Sequence, residues 1–296
     1  MMLKTLHAGR GMAALAVVAY HANISAEYFA KGAGGFVQTI ASYGYFRVDF
    51  FFVLSGFVLT IAHAGDRWGV ADFSRYIGSR ARRIYLPYLP VGIGLAAIYV
   101  AIPHLTEGER QWQWLPSLTL LPLGAPAALS VAWTLQHELL FYLVFGLAML
   151  AGRLVPVLAA WAALICIGRF SGAPTGVLLA PINLEFVAGA LAGIVFLRSP
   201  KARLVEQSVD IPRAFLTLGT ISYSLYLTHG PVISVVSRIC RGTEWSMVML
   251  ASISAAVAAA LCYHLLWERH VCHASKRSER KPTFVATAYR HGSASG

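Results

Sequence analysis

The sequence predicts an all-α protein, a polytopic bundle of membrane-spanning helices, and three observations carry that prediction. Charged residues make up 12% of the 296 residues, about half the globular norm of about 25%. Hydrophobic residues make up 57%, and the mean hydropathy is +0.61. Apolar runs of spanning length also recur along the chain, separated by short polar loops. A chain this poor in charge cannot cover a soluble surface, which excludes a cytosolic globular enzyme and a disordered protein. The four cysteines are scattered and form no CxxC pair, so they suggest neither a disulfide framework nor a zinc or redox motif. They read as small apolar packers, and no metal site is expected.

A spanning helix needs about 20 mostly apolar residues. Eight segments qualify: 8–27, 44–63, 84–103, 131–151, 154–170, 177–197, 214–237 and 246–267. The first follows Lys4 but contains Arg10 and His21, and no small-x-small cleavage site follows it. It is therefore read as a retained helix and not as a signal peptide. The stretch 115–129 (LPSLTLLPLGAPAAL) is apolar but carries three prolines, which suits an interfacial or re-entrant segment better than a span. The fifth segment is the shortest. The sixth contains Gly189 and Gly193, a GxxxG that implies close helix packing. No internal repeat is visible. Residues 1–270 form one membrane domain, and 271–296 a basic tail expected to be disordered.

Orientation follows from the basic residues. With the N-terminus placed in the cytoplasm, 18 of the 24 Lys and Arg fall on the inside, 5 on the outside (Lys31, Arg110, Arg169, Arg238 and Arg241), and Arg47 lies within a span. Both termini are thus expected on the cytoplasmic side. The same asymmetry accounts for the net charge of +11 without invoking nucleic acid.

Ionisable groups inside spans are costly and usually face a cavity or a partner. Arg10 and His21 are eleven residues apart, so on a helix they differ by roughly 20° and lie roughly 16 Å apart along the axis. Ala14 and Val17 fall between them on that face. One reading is a stripe lining a channel, with a cation at the inner mouth and a titratable imidazole deep inside. The other is that Arg10 snorkels to the interface while His21 bonds to a neighbouring helix. Three arginines in RARR, namely Arg80, Arg82 and Arg83, suit a phosphorylated ligand through bidentate guanidinium contacts, and equally suit plain positive-inside anchoring. Asp49 in VDFFFVLSGFVLT (48–60) and Glu138 in WTLQHELLFY (133–142) each need a partner, because an unpaired buried carboxylate is expensive. For Asp49 that partner is expected to be Arg47, another arginine or a histidine. A buried ion pair that merely ties helices together fits both carboxylates as well.

Taken together, four stretches resemble the bacterial integral-membrane acyltransferase family 3, whose members O-acylate sugars of surface polysaccharides and related glycosylated molecules. They are RGMAALAVVAYH (10–21), VDFFFVLSGFVLT (48–60), RARRIYLPY (80–88) and VAWTLQHELLFYLVF (131–145). Weaker echoes are NLEFVAGALAGI (183–194) and LGTISYSLYLTHGPV (218–232). Two departures stand out. Arg47 replaces the small residue usual before Val-Asp, and eight spans stand where the family usually has ten.

The resemblance implies that His21 is the active-site histidine with Arg10 as its motif partner. It implies that Arg80, Arg82 and Arg83 lie at the acyl-coenzyme A end, and that Asp49 and Glu138 play supporting catalytic roles. His229 and Trp133 match positions of supporting function. No bound cofactor is implied. Acyl-coenzyme A, in the simplest case acetyl-coenzyme A, is a co-substrate, and the acceptor is a carbohydrate or lipid-linked glycan reached from the membrane. A neutral imidazole is suited to take a proton from a hydroxyl at pH 7. A carboxylate on its other nitrogen, Asp49 or Glu138, would fix the tautomer. An acetyl-histidine relay is the alternative mechanism. Buried Arg, His and Glu would also suit a proton-coupled transporter, although the repeats common in that class are missing.

Overall fold

The computed structural model describes residues 4–42, 47–66, 68–103, 111–172, 176–201 and 209–271. The basic tail beyond Val271 lies outside the described residues, as do Arg67, Arg110, Arg203 and the side chain of Arg47. Within them the chain is all-α, as expected. In lipid the backbone must satisfy its own hydrogen bonds, and the helix does so within one segment. The helices are α1 (Lys4–Phe29), α2 (Gly35–Ser42), α3 (Arg47–Ala62), α4 (Val70–Ala101), α5 (Trp114–Thr119), α6 (Ala132–Leu150), α7 (Leu154–Phe170), α8 (Asn183–Arg198), α9 (Arg213–Ile239) and α10 (Trp245–Tyr263). A π-helical turn, His264–Glu268, extends α10.

Three of these helices are long and apolar enough to cross a membrane: Val70–Ala101, Ala132–Leu150 and Trp245–Val271. Val48–Ala62 and Leu154–Phe170 are shorter apolar helices. α1 and α9 have the length, at 26 and 27 residues, but their hydropathy is lowered by the polar residues they carry inward. α8 begins later than the sequence suggests. Pro181 ends the preceding turn, and Asn183 Nδ2 donates to the Val177 carbonyl at 2.7 Å. In contrast, α4 begins well before its expected span, so Arg80 and Arg83 stand on the same rigid helix as the prolines that follow.

Two crossings organise the bundle. At α3–α8, a Cβ on Gly56 would lie 2.0 Å from the Phe186 carbonyl oxygen, and one on Gly189 would lie 1.9 Å from that of Val53. The GxxxG therefore does mark close packing. At α1–α9, a Cβ on Gly11 would lie 2.5 Å from the Gly219 nitrogen, and one on Gly219 2.2 Å from the His7 carbonyl oxygen. Around these crossings sit two apolar cores. One gathers Tyr88, Phe141, Phe145 and Phe186 from α4, α6 and α8. The other gathers Ala14, Val18, Leu225 and Val248 from α1, α9 and α10.

The proline-rich stretch 115–129 is not a span. Its short α5 is tied down by Ser117, whose hydroxyl donates to the Gln113 carbonyl at 2.6 Å and accepts from the Ala128 N–H at 2.8 Å. Tyr88 donates to the Ser117 carbonyl at 2.7 Å. At one end of the bundle, the α1–α2 and α9–α10 turns are stitched together by Lys31 N–H to the Thr243 carbonyl at 2.8 Å and Gly242 N–H to the Phe29 carbonyl at 2.9 Å. At the other end, the ends of α3, α6 and α8 meet around Thr60, His63, Gly152 and Leu197.

Candidate active site

α1 runs unbroken from Lys4 to Phe29, so Arg10 and His21 share one face and are separated by roughly 16 Å along its axis. Ala14 is 1% exposed and Val17 2%. The stripe between the two is therefore a packed seam and not an open channel.

The Arg10 end is charged. Arg10 lies within electrostatic range of Arg83, Glu138, Tyr142 and Glu268. Glu138 accepts a hydrogen bond from the Tyr142 hydroxyl, one helical turn away, and Ser55 Oγ lies 3.5 Å from the same carboxylate. Arg80 stacks over the rings of Tyr76 and Tyr142, 5.4 and 5.6 Å from their centroids. Its Nε is buried without a hydrogen-bond partner. Arg82 and Arg83 are exposed. Glu268 is buried, and accepts from the Ser224 hydroxyl and from His264 Nδ1 at 2.9 Å.

The π turn aims Glu268 inward, and α4 holds that turn. Pro90 has no N–H to give the Leu86 carbonyl; Trp267 Nε1 donates to it instead, at 2.9 Å. The Tyr263 hydroxyl donates to the Pro87 carbonyl at 2.5 Å.

The His21 end is neutral and aromatic. The His21 and His229 ring centroids are 5.1 Å apart. His229 is fully buried, and its Nδ1–H donates to the Leu225 carbonyl at 3.1 Å. Its Nε2 has no partner. Tyr226 packs beside it, 5.8 Å between centroids. The Tyr226 hydroxyl sits 2.6 Å from Thr134 Oγ1 and 3.3 Å from the Val131 carbonyl. Tyr20 lies edge-on to His21 at 5.2 Å.

The two sequence-singled carboxylates face other partners. Asp49 and Glu185 come within interaction range of each other across the α3–α8 crossing. The side chain of Arg47, one of the partners expected for Asp49, lies outside the described residues. Glu138 belongs to the Arg10 end. Trp133 is 44% exposed. It packs edge-on to Phe52 and His137, with centroids 6.4 and 5.9 Å away, and His137 Nδ1 lies 2.8 Å from Asn183 Oδ1.

Comparison with known proteins decides what this arrangement belongs to. A family profile described as an acyltransferase domain matches residues 3–205. The chain belongs to that family. The acyltransferase is also 28% identical, over 282 residues, to the exopolysaccharide production protein ExoZ of Rhizobium meliloti (strain 1021), covering 75% of this chain and 87% of that one. It is 32% identical over 180 residues to the acyltransferase MdmB of Streptomyces mycarofaciens, covering 56% of this chain and 46% of that one. No solved structure matches.

Membership settles the class in favour of an enzyme of the membrane and against a proton-coupled transporter. Within the acyltransferase, several side chains around the site escaped the sequence reading. Tyr142, Tyr226 and Ser224 look like ordinary members of apolar helices. Only the four-residue spacing of Glu138 and Tyr142 gave a signal. Glu268 was visible as an acid at the end of the last span, but its inward aim depends on the π turn, which leaves no mark in composition.

Proposed function

We propose that the acyltransferase moves an acyl group, acetyl in the simplest case, from acyl-coenzyme A to a sugar hydroxyl of a surface polysaccharide or its lipid-linked precursor. His21 acts as general base. The observation that carries this reading is the single helix α1, which puts a cluster of guanidiniums at one end and a histidine at the other. Arginine forks suit the phosphates of coenzyme A. At His21, an imidazole nitrogen takes the proton of the acceptor hydroxyl while the oxygen attacks the thioester carbonyl. The C–S bond breaks, and the leaving thiolate recovers the proton from the imidazolium. The likeness to a protein of exopolysaccharide production supports a glycan acceptor.

The arrangement in the bacterial inner membrane is eight spans with both termini in the cytoplasm, on the split of Lys and Arg. Lys31 and Gly242 share one end of the bundle, whereas Asp66 lies at the other. Cysteines placed at 31 and 242 should therefore react with an impermeant reagent from outside, and one at 66 should not. External labelling at 66 would reverse the orientation.

The direct test of the chemistry is His21→Ala, assayed by glycan acetylation in cells and by thiol release from labelled acetyl-coenzyme A in detergent, alongside membrane abundance. Transfer should vanish while the protein still accumulates. Activity within a few-fold of wild type would remove His21 from the mechanism.

A further inference from the structure

Buried polar groups are nearly always hydrogen-bonded, and an exception in a native protein calls for an explanation. His229 Nε2 is such an exception: it is buried and has no partner. Its tautomer is fixed by the opposite nitrogen. Nδ1 faces the Leu225 carbonyl at 3.1 Å, and a carbonyl only accepts, so Nδ1 carries the proton and Nε2 presents a bare lone pair. The nearest imidazole, that of His21, has its centroid 5.1 Å away with the planes inclined by 41°. At that separation, a small side-chain rotation brings facing ring nitrogens to hydrogen-bond distance. The surroundings are aromatic: Tyr20 packs on His21, Tyr226 on His229, and Phe51 on Tyr226. The Tyr226 hydroxyl is committed to Thr134 and Val131. Of the two carboxylates that could serve His21, Asp49 interacts with Glu185 and Glu138 accepts a hydrogen bond from Tyr142.

We infer that His229 is the positioning residue for His21, occupying the place a carboxylate takes in other triad-like sites. One ring N–H of His21 donates to His229 Nε2, which leaves the other His21 nitrogen unprotonated and aimed at the acceptor hydroxyl. When His21 takes the hydroxyl proton, His229 Nε2 stabilises the imidazolium without itself being protonated. The proton then passes from His21 to the departing thiolate, and His229 ends as it began. A neutral partner suits an apolar pocket, where an ionised carboxylate would be costly to bury. The inference rests on the reading of His21 as the base.

The test uses the full chain in detergent, with thiol release from acetyl-coenzyme A and water as the acceptor. His229→Phe keeps a ring but removes the lone pair. It should lower kcat on the order of 10²-fold with the donor KM and melting temperature close to wild type. His229→Gln places an amide oxygen near the former Nε2 and should recover roughly tenfold of that loss. A Phe variant within threefold of wild-type kcat overturns the inference, as does a Gln variant no better than Phe. Should the Phe variant not accumulate, His229→Asn replaces it. Its shorter amide reaches the Leu225 side only, so it should fall below Gln, and equal rates for the two overturn the inference. His21→Ala separates the two readings. Transfer that survives it overturns both, whereas its loss beside a fully active His229→Phe overturns only the role of His229.

Discussion

At one end of α1, Arg10 sits among Arg83, Glu138 and Glu268, and the two acids are each met by a neighbouring hydroxyl. Eleven residues further along the same helix, His21 and His229 face each other among aromatic rings. The difference separates two demands on buried polarity. A cluster of opposed charges is held in place by mutual compensation, so removing any member exposes the rest. A neutral imidazole pair gives up a hydrogen bond and gains freedom to exchange a proton. The first arrangement suits binding an anion, and the second suits chemistry.

The comparison breaks first at Arg10. Arg10→Ala removes a half-buried cation within electrostatic range of Glu138 and Glu268 and should cost about 2–3 kcal/mol, the scale of leaving a charged group under-compensated. Membrane abundance and melting temperature in detergent should both fall, while His21→Ala should leave them near wild type. Equal stability losses for the two would erase the distinction. A second test works through packing. Gly11→Val would set a Cβ 2.5 Å from the Gly219 nitrogen, pushing α1 off α9 beside Arg10 at a cost of about 1–3 kcal/mol. The donor KM should rise more than kcat falls, because the displaced residue is next to the charged end.

Arg80→Ala combined with Arg83→Ala removes two of the guanidiniums proposed to meet the donor phosphates without touching the imidazoles. The donor KM should rise on the order of tenfold with a smaller change in kcat, and lysines at both positions should restore only part, since the fork is lost. An unchanged donor KM would return RARR to plain anchoring. The smallest effect is expected at Thr134→Val. Tyr226 would lose one partner but keep the Val131 carbonyl, a change of about 1 kcal/mol. Turnover at saturating donor should fall a few-fold with the donor KM fixed; a shift in KM instead would mean that the two ends are not separable.

Much of this organisation can be read from the residues. Segment 154–170 is helix α7 to the residue, and the prolines of 115–129 identify a stretch that does not span. Arg10, His21 and RARR stand out because charge is rare in an apolar chain. What stays hidden is pairing. Nothing local says that Asp49 meets Glu185, because the α3–α8 crossing that joins them is fixed by Gly56 and Gly189 touching backbone across long stretches of chain. Hydroxyls are hidden for another reason. Tyr226 and Ser224 cost a helix little and blend into its apolar face, so their roles as partners to Thr134 and Glu268 emerge only once the helices are assembled.

The two hydrogen bonds from Tyr263 and Trp267 to the Pro87 and Leu86 carbonyls of α4 join the helix that bears Arg80 and Arg83 to the turn that bears Glu268. If the donor binds at the arginines as proposed and shifts α4, occupancy there and the setting of Glu268 are thermodynamically linked, and linkage is reciprocal. If a bound donor draws α4 toward itself, the π turn follows, and Ser224 with it. Conversely, loosening the latch with Trp267→Phe would then change the donor affinity, by the same factor that the donor tightens the latch. In this acyltransferase the last helix would then report, at its far end, whether coenzyme A is in place.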